Sequence, residues 1–139
     1  MTAEFTVAVH ALVYLLHKNT VVSSQELAEN ICTNPARVRK VMTKLHKAGL
    51  AQSSQGKGSG YHAIENSAEI SLDAVRQALN ELPISLDWHS GDVDKKCLIA
   101  SGMGAVMDNL CARMNDSCRS MLAATTIGDI NQMIFKKEE

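Results

Sequence analysis

Two helix starts separated by only a few residues constrain this chain more than any other feature. Ser23-Ser24-Gln25-Glu26 has the pattern of a capping box, in which a serine hydroxyl accepts a backbone N–H and a glutamate reaches back. It predicts a helix over about 24–31 that buries Leu27, Ala28 and Ile31. Asn34-Pro35 is the second start: Asn caps well, and proline at the first helical position gives up no needed hydrogen bond. That helix should run to Ala48 and stop at Gly49, a favourable residue just past a helix end. Only Cys32 and Thr33 lie between the two, so the pair reads as a helix-turn-helix unit.

The second helix has two unlike faces. Val38, Val41, Met42 and Leu45 form a stripe that can pack on the preceding helices. Arg37, Lys40, Lys44 and Lys47 form a basic stripe. An α-helix fits the major groove of B-DNA, and in this motif the first residues of the second helix meet the base edges. Asn34, Ala36, Arg37 and Lys40 are placed for that contact, and Lys44 and Lys47 for phosphates. The start of the preceding helix, at Ser24 and Gln25, can take another phosphate. A basic stripe on an isolated helix is ordinarily just a solvated face. Here it is followed by short segments over 50–54 and 61–64 around a glycine-rich centre, which reads as a β-hairpin. Its tip brings Gln55, Lys57 and Ser59, and the hairpin makes a wing.

The remainder is helical in pattern. Phe5, Val9, Leu12, Val13 and Leu16 predict a buried helix over 3–17, and Ser71 caps a helix over 72–82 with Leu72, Val75 and Leu79 inward. Pro83 to Lys96 is a polar loop, in which Trp88 should pack on the domain or line a small pocket. A long helix follows over 98–124, with Met103, Met107, Leu110, Met114, Cys118 and Met121 in one stripe suited to pairing with a second copy. Thr126-Ile127-Gly128-Asp129 is another capped start, for a short helix to about Phe135, and the tail 136–139 should fray. The expected fold is mainly α with a small β-hairpin wing. It comprises a winged helix-turn-helix over 1–82, a loop over 83–97 that is a candidate sensing region, and a dimerisation helix with a C-terminal helix over 98–139.

Charge distribution fits this division better than net charge does. Residues 1–63 carry seven Lys/Arg against three Asp/Glu, a net of +4, and residues 64–139 carry seven against twelve, a net of −5. A basic half joined to an acidic half indicates one module that faces a polyanion and one with another task. Aromatic residues make up 4% of the chain, so the core must be built from aliphatics and methionine. The apolar stretch Val7 to Leu16 is too short for a membrane span and lacks the basic flank of a signal peptide. A cytoplasmic protein without a membrane partner is expected.

The cysteines leave two readings open. Cys32 lies in the tight turn, Cys97 at the junction of loop and long helix, and Cys111 and Cys118 along that helix. All four are candidates for redox chemistry, against the more ordinary role of a free cysteine as a small packing residue. Cys97 is the best candidate for a reactive thiol, because a helix N-terminus lowers a thiol pKa. Cys111 and Cys118 are about 10.5 Å apart along one helix. A disulfide needs Cα atoms within roughly 7 Å, so they could pair only across a dimer interface. His89, Asp92 and Asp94 fit no standard metal-ligand spacing, and no metal site or catalytic residue is assigned.

The order of these features resembles the Rrf-type winged-helix transcription regulators, the group containing IscR, NsrR and CymR. The resemblance runs through Ser24-Gln25-Glu26-Leu27-Ala28, Asn34-Pro35-Ala36-Arg37-Val38-Arg39-Lys40 and Leu45-His46-Lys47-Ala48-Gly49-Leu50. It continues in Gly56-Lys57-Gly58-Ser59-Gly60-Tyr61, Ile70-Ser71-Leu72, Cys97-Leu98 and Thr126-Ile127-Gly128-Asp129-Ile130. It implies a homodimer that binds double-stranded DNA at a roughly palindromic operator, usually as a repressor. Two half-sites would then lie about one DNA turn (~34 Å) apart, and a signal at the loop would alter that spacing. Members often carry arginine before the first wing glycine, where this chain has Gln55; Lys57 should therefore be the main wing cation. Several members hold an iron–sulfur cluster on three cysteines about six residues apart. Here the corresponding positions are Ser85, Gly91 and Cys97, and a further ligand position is Ala100. A cluster is generally held by about four ligands, so no cofactor is expected. Two other readings remain: a winged-helix interaction module that does not bind DNA, and a thiol- or peroxide-consuming enzyme. The second lacks a Cys-x-x-Cys pair.

Overall fold

The computed structural model describes residues 1–136, so the expected fraying of the tail falls, beyond Lys136, outside the described residues. Helices α1 (Ala3–Lys18), α2 (Ser24–Ile31) and α3 (Pro35–Lys47) are followed by strands β1 (Ala51–Ser54) and β2 (Gly60–Ala63). A 3-10 turn (Ser67–Glu69), α4 (Leu72–Leu79), the long α5 (Leu98–Ala124) and α6 (Ile127–Phe135) complete the order. The chain forms two compact units. One comprises Thr2–Glu81 and the chain from Leu122 onward; the other comprises Leu82–Met121 with Met1. The segment 98–139 is thus divided between them.

Capping residues set most helix starts. The Ser23 hydroxyl accepts the Glu26 N–H at 3.0 Å, the Asn34 side chain accepts the Arg37 N–H at 2.8 Å, and the Ser71 hydroxyl accepts the Ala74 N–H at 3.0 Å. A reciprocal capping box forms at Thr126 and Asp129. None forms at Ser23: there the Glu26 carboxylate accepts instead from the Tyr14 hydroxyl at 2.7 Å, tying α2 to α1. Helix α4 stops at Leu79, three residues before the expected Leu82, because Asn80 turns left-handed (φ 53) and ends it.

The core of the first unit gathers on α1. Ala8, Ala11, Leu12 and Leu15 are fully buried, whereas Val9 and Leu16 are only partly so. The stripe read from the sequence is therefore turned from the observed one. Helices α2, α3, α4 and α6 all pack on α1, so burial is not confined to one face. Val38, Val41, Met42 and Leu45 of α3 are buried as expected, with Leu27, Val75, Leu79 and Ile127 from the neighbouring helices.

The hairpin pairs Ala51 with Ala63 through to Ser54 with Gly60. A bridge between Val22 and Tyr61, two N–H···O bonds of 2.8 Å each, fastens it to the segment before α2. Gly60 makes this possible, since a Cβ there would overlap the Val22 carbonyl. Gly60→Ala should therefore destabilise the protein by about 1–3 kcal/mol, the usual range for overpacking. Urea unfolding measures it, and an unchanged midpoint would show that the wing is not seated in this way.

Candidate nucleic-acid interface

The start of α2, one flank of α3 and the wing enclose a shallow groove. It is lined by Ser23, Ser24 and Gln25, by Arg39, Thr43 and His46, and by Ser54, Gln55, Ser59 and Tyr61. A helix leaves first-turn N–H groups without intrahelical partners, and its N-terminus carries partial positive charge. Here those residues are Ser24 and Gln25. Arg39 contributes a formal positive charge beside them. The Thr43 hydroxyl donates to the Arg39 carbonyl at 2.8 Å, and His46 Nδ1 lies 3.2 Å from the Ala51 carbonyl, linking α3 to the wing.

Of the residues singled out by sequence, Ser24, Gln25, Gln55 and Ser59 meet in this groove. Asn34, Ala36, Arg37, Lys40 and Lys47 are exposed at the turn and along α3, and Lys57 is exposed at the wing tip. Lys40 and Lys44 are drawn towards α1, where Glu4 holds them at 3.0 and 3.1 Å. Those two ammonium groups keep the Glu4 carboxyl below the usual carboxylate range. Lys44 is thus engaged by a carboxylate in this structure, in place of the open phosphate-facing position expected of it. Arg39, Thr43 and His46 were missed. They recur at helical spacing, but a search for one uniformly basic stripe passes over them.

The second unit folds the loop onto one side of α5. The Ile84 N–H donates to Asn115 Oδ1 and the Asn115 amide donates back to the Ile84 carbonyl, both at 2.9 Å. The Asp92 N–H donates to the Ala100 carbonyl at 2.9 Å, and His89 Nε2 lies 2.6 Å from Asp108. The stripe facing the loop holds Ala100, Gly104 and Cys111, half-buried, and Asn115, buried, while Asp108 stays exposed beside His89. The adjacent stripe of Met103, Met107, Leu110, Met114 and Met121 remains exposed, with Cys118 half-buried. Cys118, Leu110 and Met114 line an apolar groove with Ile84. Trp88, expected to pack or line a pocket, is 78% exposed, because the loop is tied down by backbone and polar groups on either side of it.

The cysteines have different settings. Cys32 ends α2 in the left-handed region (φ 64) and is exposed. Cys111 is half-buried, its sulfur 3.5 Å from the Ile84 carbonyl. Cys97 is exposed at the start of α5, where N–H groups of Ala100 and then Ile99 stabilise the thiolate and lower its pKa.

Comparison with known proteins follows this geometry closely. The family model Rrf2, described as iron-dependent transcriptional regulator, matches residues 1–132. No curated protein matches the chain. A structure from Lactobacillus plantarum, assigned as a candidate transcriptional regulator, is 23% identical with a TM-score of 0.79, covering 99% of this chain and 97% of that one. T. potens IscR is 19% identical with a TM-score of 0.69 over 100% and 88% of the two chains. CymR, the global cysteine regulator of B. subtilis, is 16% identical with a TM-score of 0.70 over 96% of each.

An iron–sulfur cluster does not fit the loop. Of its expected thiolates only Cys97 is present, and a Cβ at Gly91 would overlap the Ala100 carbonyl, so the backbone itself leaves no room for a cysteine there. Among the described residues, no three His, Cys, Asp or Glu side chains gather as a metal site. The thiol is a different matter. Iodoacetamide should alkylate Cys97 first, with a rate midpoint below the ordinary thiol pKa and without this fast phase in Cys97→Ser. A uniform rate for all exposed thiols would contradict the helix-terminus effect.

Proposed function

The chain belongs to the Rrf2 family of transcriptional regulators, and from that premise we propose that it binds a palindromic operator as a homodimer and represses transcription by occupying it. It is a DNA-binding transcription regulator; the proposal concerns how. The groove between α2, α3 and the wing carries the reading. It sets a helix N-terminus, Arg39 and the wing residues Gln55 and Ser59 on one surface, beside the exposed Arg37, Lys40 and Lys47. In this arrangement the start of α3 reads base edges in the major groove. Ser24, Gln25 and the basic side chains hold phosphates, and Lys57 reaches the flanking backbone. The protein acts by binding, in the cytoplasm, with no catalytic residue and no resident cofactor.

The dimer forms through the exposed methionine stripe of α5. Exposed apolar side chains in an unbroken row are costly in water. A second copy of the same helix covers them with the matching stripe, as in two-fold symmetric interfaces. The loop lies along the adjacent stripe of α5, so chemistry at Cys97 can change how firmly two copies pair. A peroxide would transfer one oxygen to the thiolate, giving sulfenic acid and releasing hydroxide. CymR of Staphylococcus aureus has been solved in an oxidised form.

Fluorescence anisotropy with a duplex, titrated with salt, tests the interface. Each phosphate contact contributes a slope of about −0.9 in log K against log salt. Arg39→Ala should weaken binding and flatten that slope, while Arg113→Ala on α5 should do neither. Leu110→Asp with Met114→Asp should yield monomers that bind at least ~100-fold more weakly, since two linked contacts gain about that much. Equal binding by all of these proteins would remove this interface and this dimer, and no salt-dependent binding at all would favour an interaction module that does not use DNA. Peroxide should lower the affinity of the wild type and leave Cys97→Ser unaffected; equal loss in both would assign the effect to another thiol or a methionine.

A further inference from the structure

We propose that Glu4 is a charge gate on the recognition helix, occupying Lys40 and Lys44 so that sequence-independent binding to DNA is held down relative to operator binding. The inference rests on the DNA-binding surface described above and adds to it a residue of the opposite charge. Glu4 stands in the first turn of α1, far from α3 in sequence, and its side chain is only 23% exposed. Each carboxylate oxygen takes its own lysine: Oε1 lies 3.0 Å from Lys40 Nζ and Oε2 lies 3.1 Å from Lys44 Nζ. The two lysines are four residues apart, so their side chains leave the same side of α3 and converge on one anion.

A helix start favours an acidic residue in general, which accounts for a carboxylate on α1 but not for its closure onto two lysines of another helix. The lysine ends of the two pairs are 65% and 37% exposed, and ion pairs open to solvent contribute little to stability, so the fold alone gives weak reason for the arrangement. Its effect on a polyanion is larger. Phosphate contacts supply most of the affinity for any DNA sequence, through the counterions that lysines displace. Base contacts supply the discrimination. A carboxylate that neutralises part of two lysines lowers the first contribution and leaves the second, carried from the start of α3, in place. The trio Glu4, Lys40 and Lys44 presents one net positive charge to the duplex in place of two, and both lysines are held in a single direction.

The test compares wild type and Glu4→Gln on two probes of about three helical turns, a random-sequence duplex and one enriched by selection on the wild-type protein. Glu4→Gln should bind the random duplex several-fold more tightly, with a salt slope steeper by about 1–2, because each freed lysine adds roughly 0.9. Its preference for the selected duplex should fall. In a Lys40→Gln, Lys44→Gln background, Glu4→Gln should leave the slope unchanged. A Glu4→Gln slope equal to that of the wild type would overturn the gate while leaving DNA binding intact. So would a slope that still changes without the two lysines, because the carboxylate would then act directly on phosphate. Should Glu4→Gln fail to fold, Lys40→Met and Lys47→Met decide the matter. A gated Lys40 must flatten the slope less than Lys47 does, and equal effects would overturn the proposal. A wild type that binds neither probe would remove the DNA-binding reading itself.

Discussion

Burial of α1 among four other helices is the constraint on which the rest of the first unit depends. Ala8 and Ala11 let neighbouring helices approach closely, and Leu12 and Leu15 fill the space between them. Truncating a buried leucine to alanine costs about 2–5 kcal/mol, whereas losing a helix cap costs roughly 1 kcal/mol. Packing on α1 therefore decides where α3 lies, and the Asn34 cap decides where it begins. With Val38, Val41, Met42 and Leu45 committed to the core, the remaining side chains of α3 can face only solvent, the wing or the start of α1. All three directions are used: Lys47 faces solvent, His46 meets β1, and Lys40 and Lys44 meet Glu4.

The two units use helices in opposite ways. In the first, an amphipathic helix buries its apolar face and presents charge. In the second, the loop lies against the small and polar side of α5, meeting Gly104, Asp108 and Asn115, and the apolar stripe is left exposed. That inversion is what leaves the methionine row open to solvent. The same loop leaves Cys97 in the open at a helix start, where backbone N–H groups favour its thiolate. A close approach of Gly91 to Ala100 holds the loop where a metal cluster would otherwise demand side chains.

Much of this was legible in the sequence because it follows from local rules. Serine, asparagine and threonine caps announced α2, α3, α4 and α6, and the glycines of the wing announced the hairpin. What escaped depends on tertiary contact. The burial phase of α1 could not be read from periodicity, since a helix packed on several sides has no single apolar face. The reciprocal bond expected at Ser23 gave way to the Tyr14 hydroxyl, a partner from another helix. Asn80 ended α4 early through a left-handed turn that asparagine permits but does not require. At the candidate interface the basic stripe was visible, yet Glu4 lies far away in sequence and its hold on Lys40 and Lys44 was not. Arg39 was visible as a residue, and only the seating of the wing reveals that it lines the groove.

The most direct test of DNA reading by a two-fold dimer is selection of bound sequences from random duplexes with the purified, reduced protein. A motif with two inverted half-sites, spaced by about one helical turn, is the expected result. Recovery of no motif, or of a single half-site without symmetry, would contradict it.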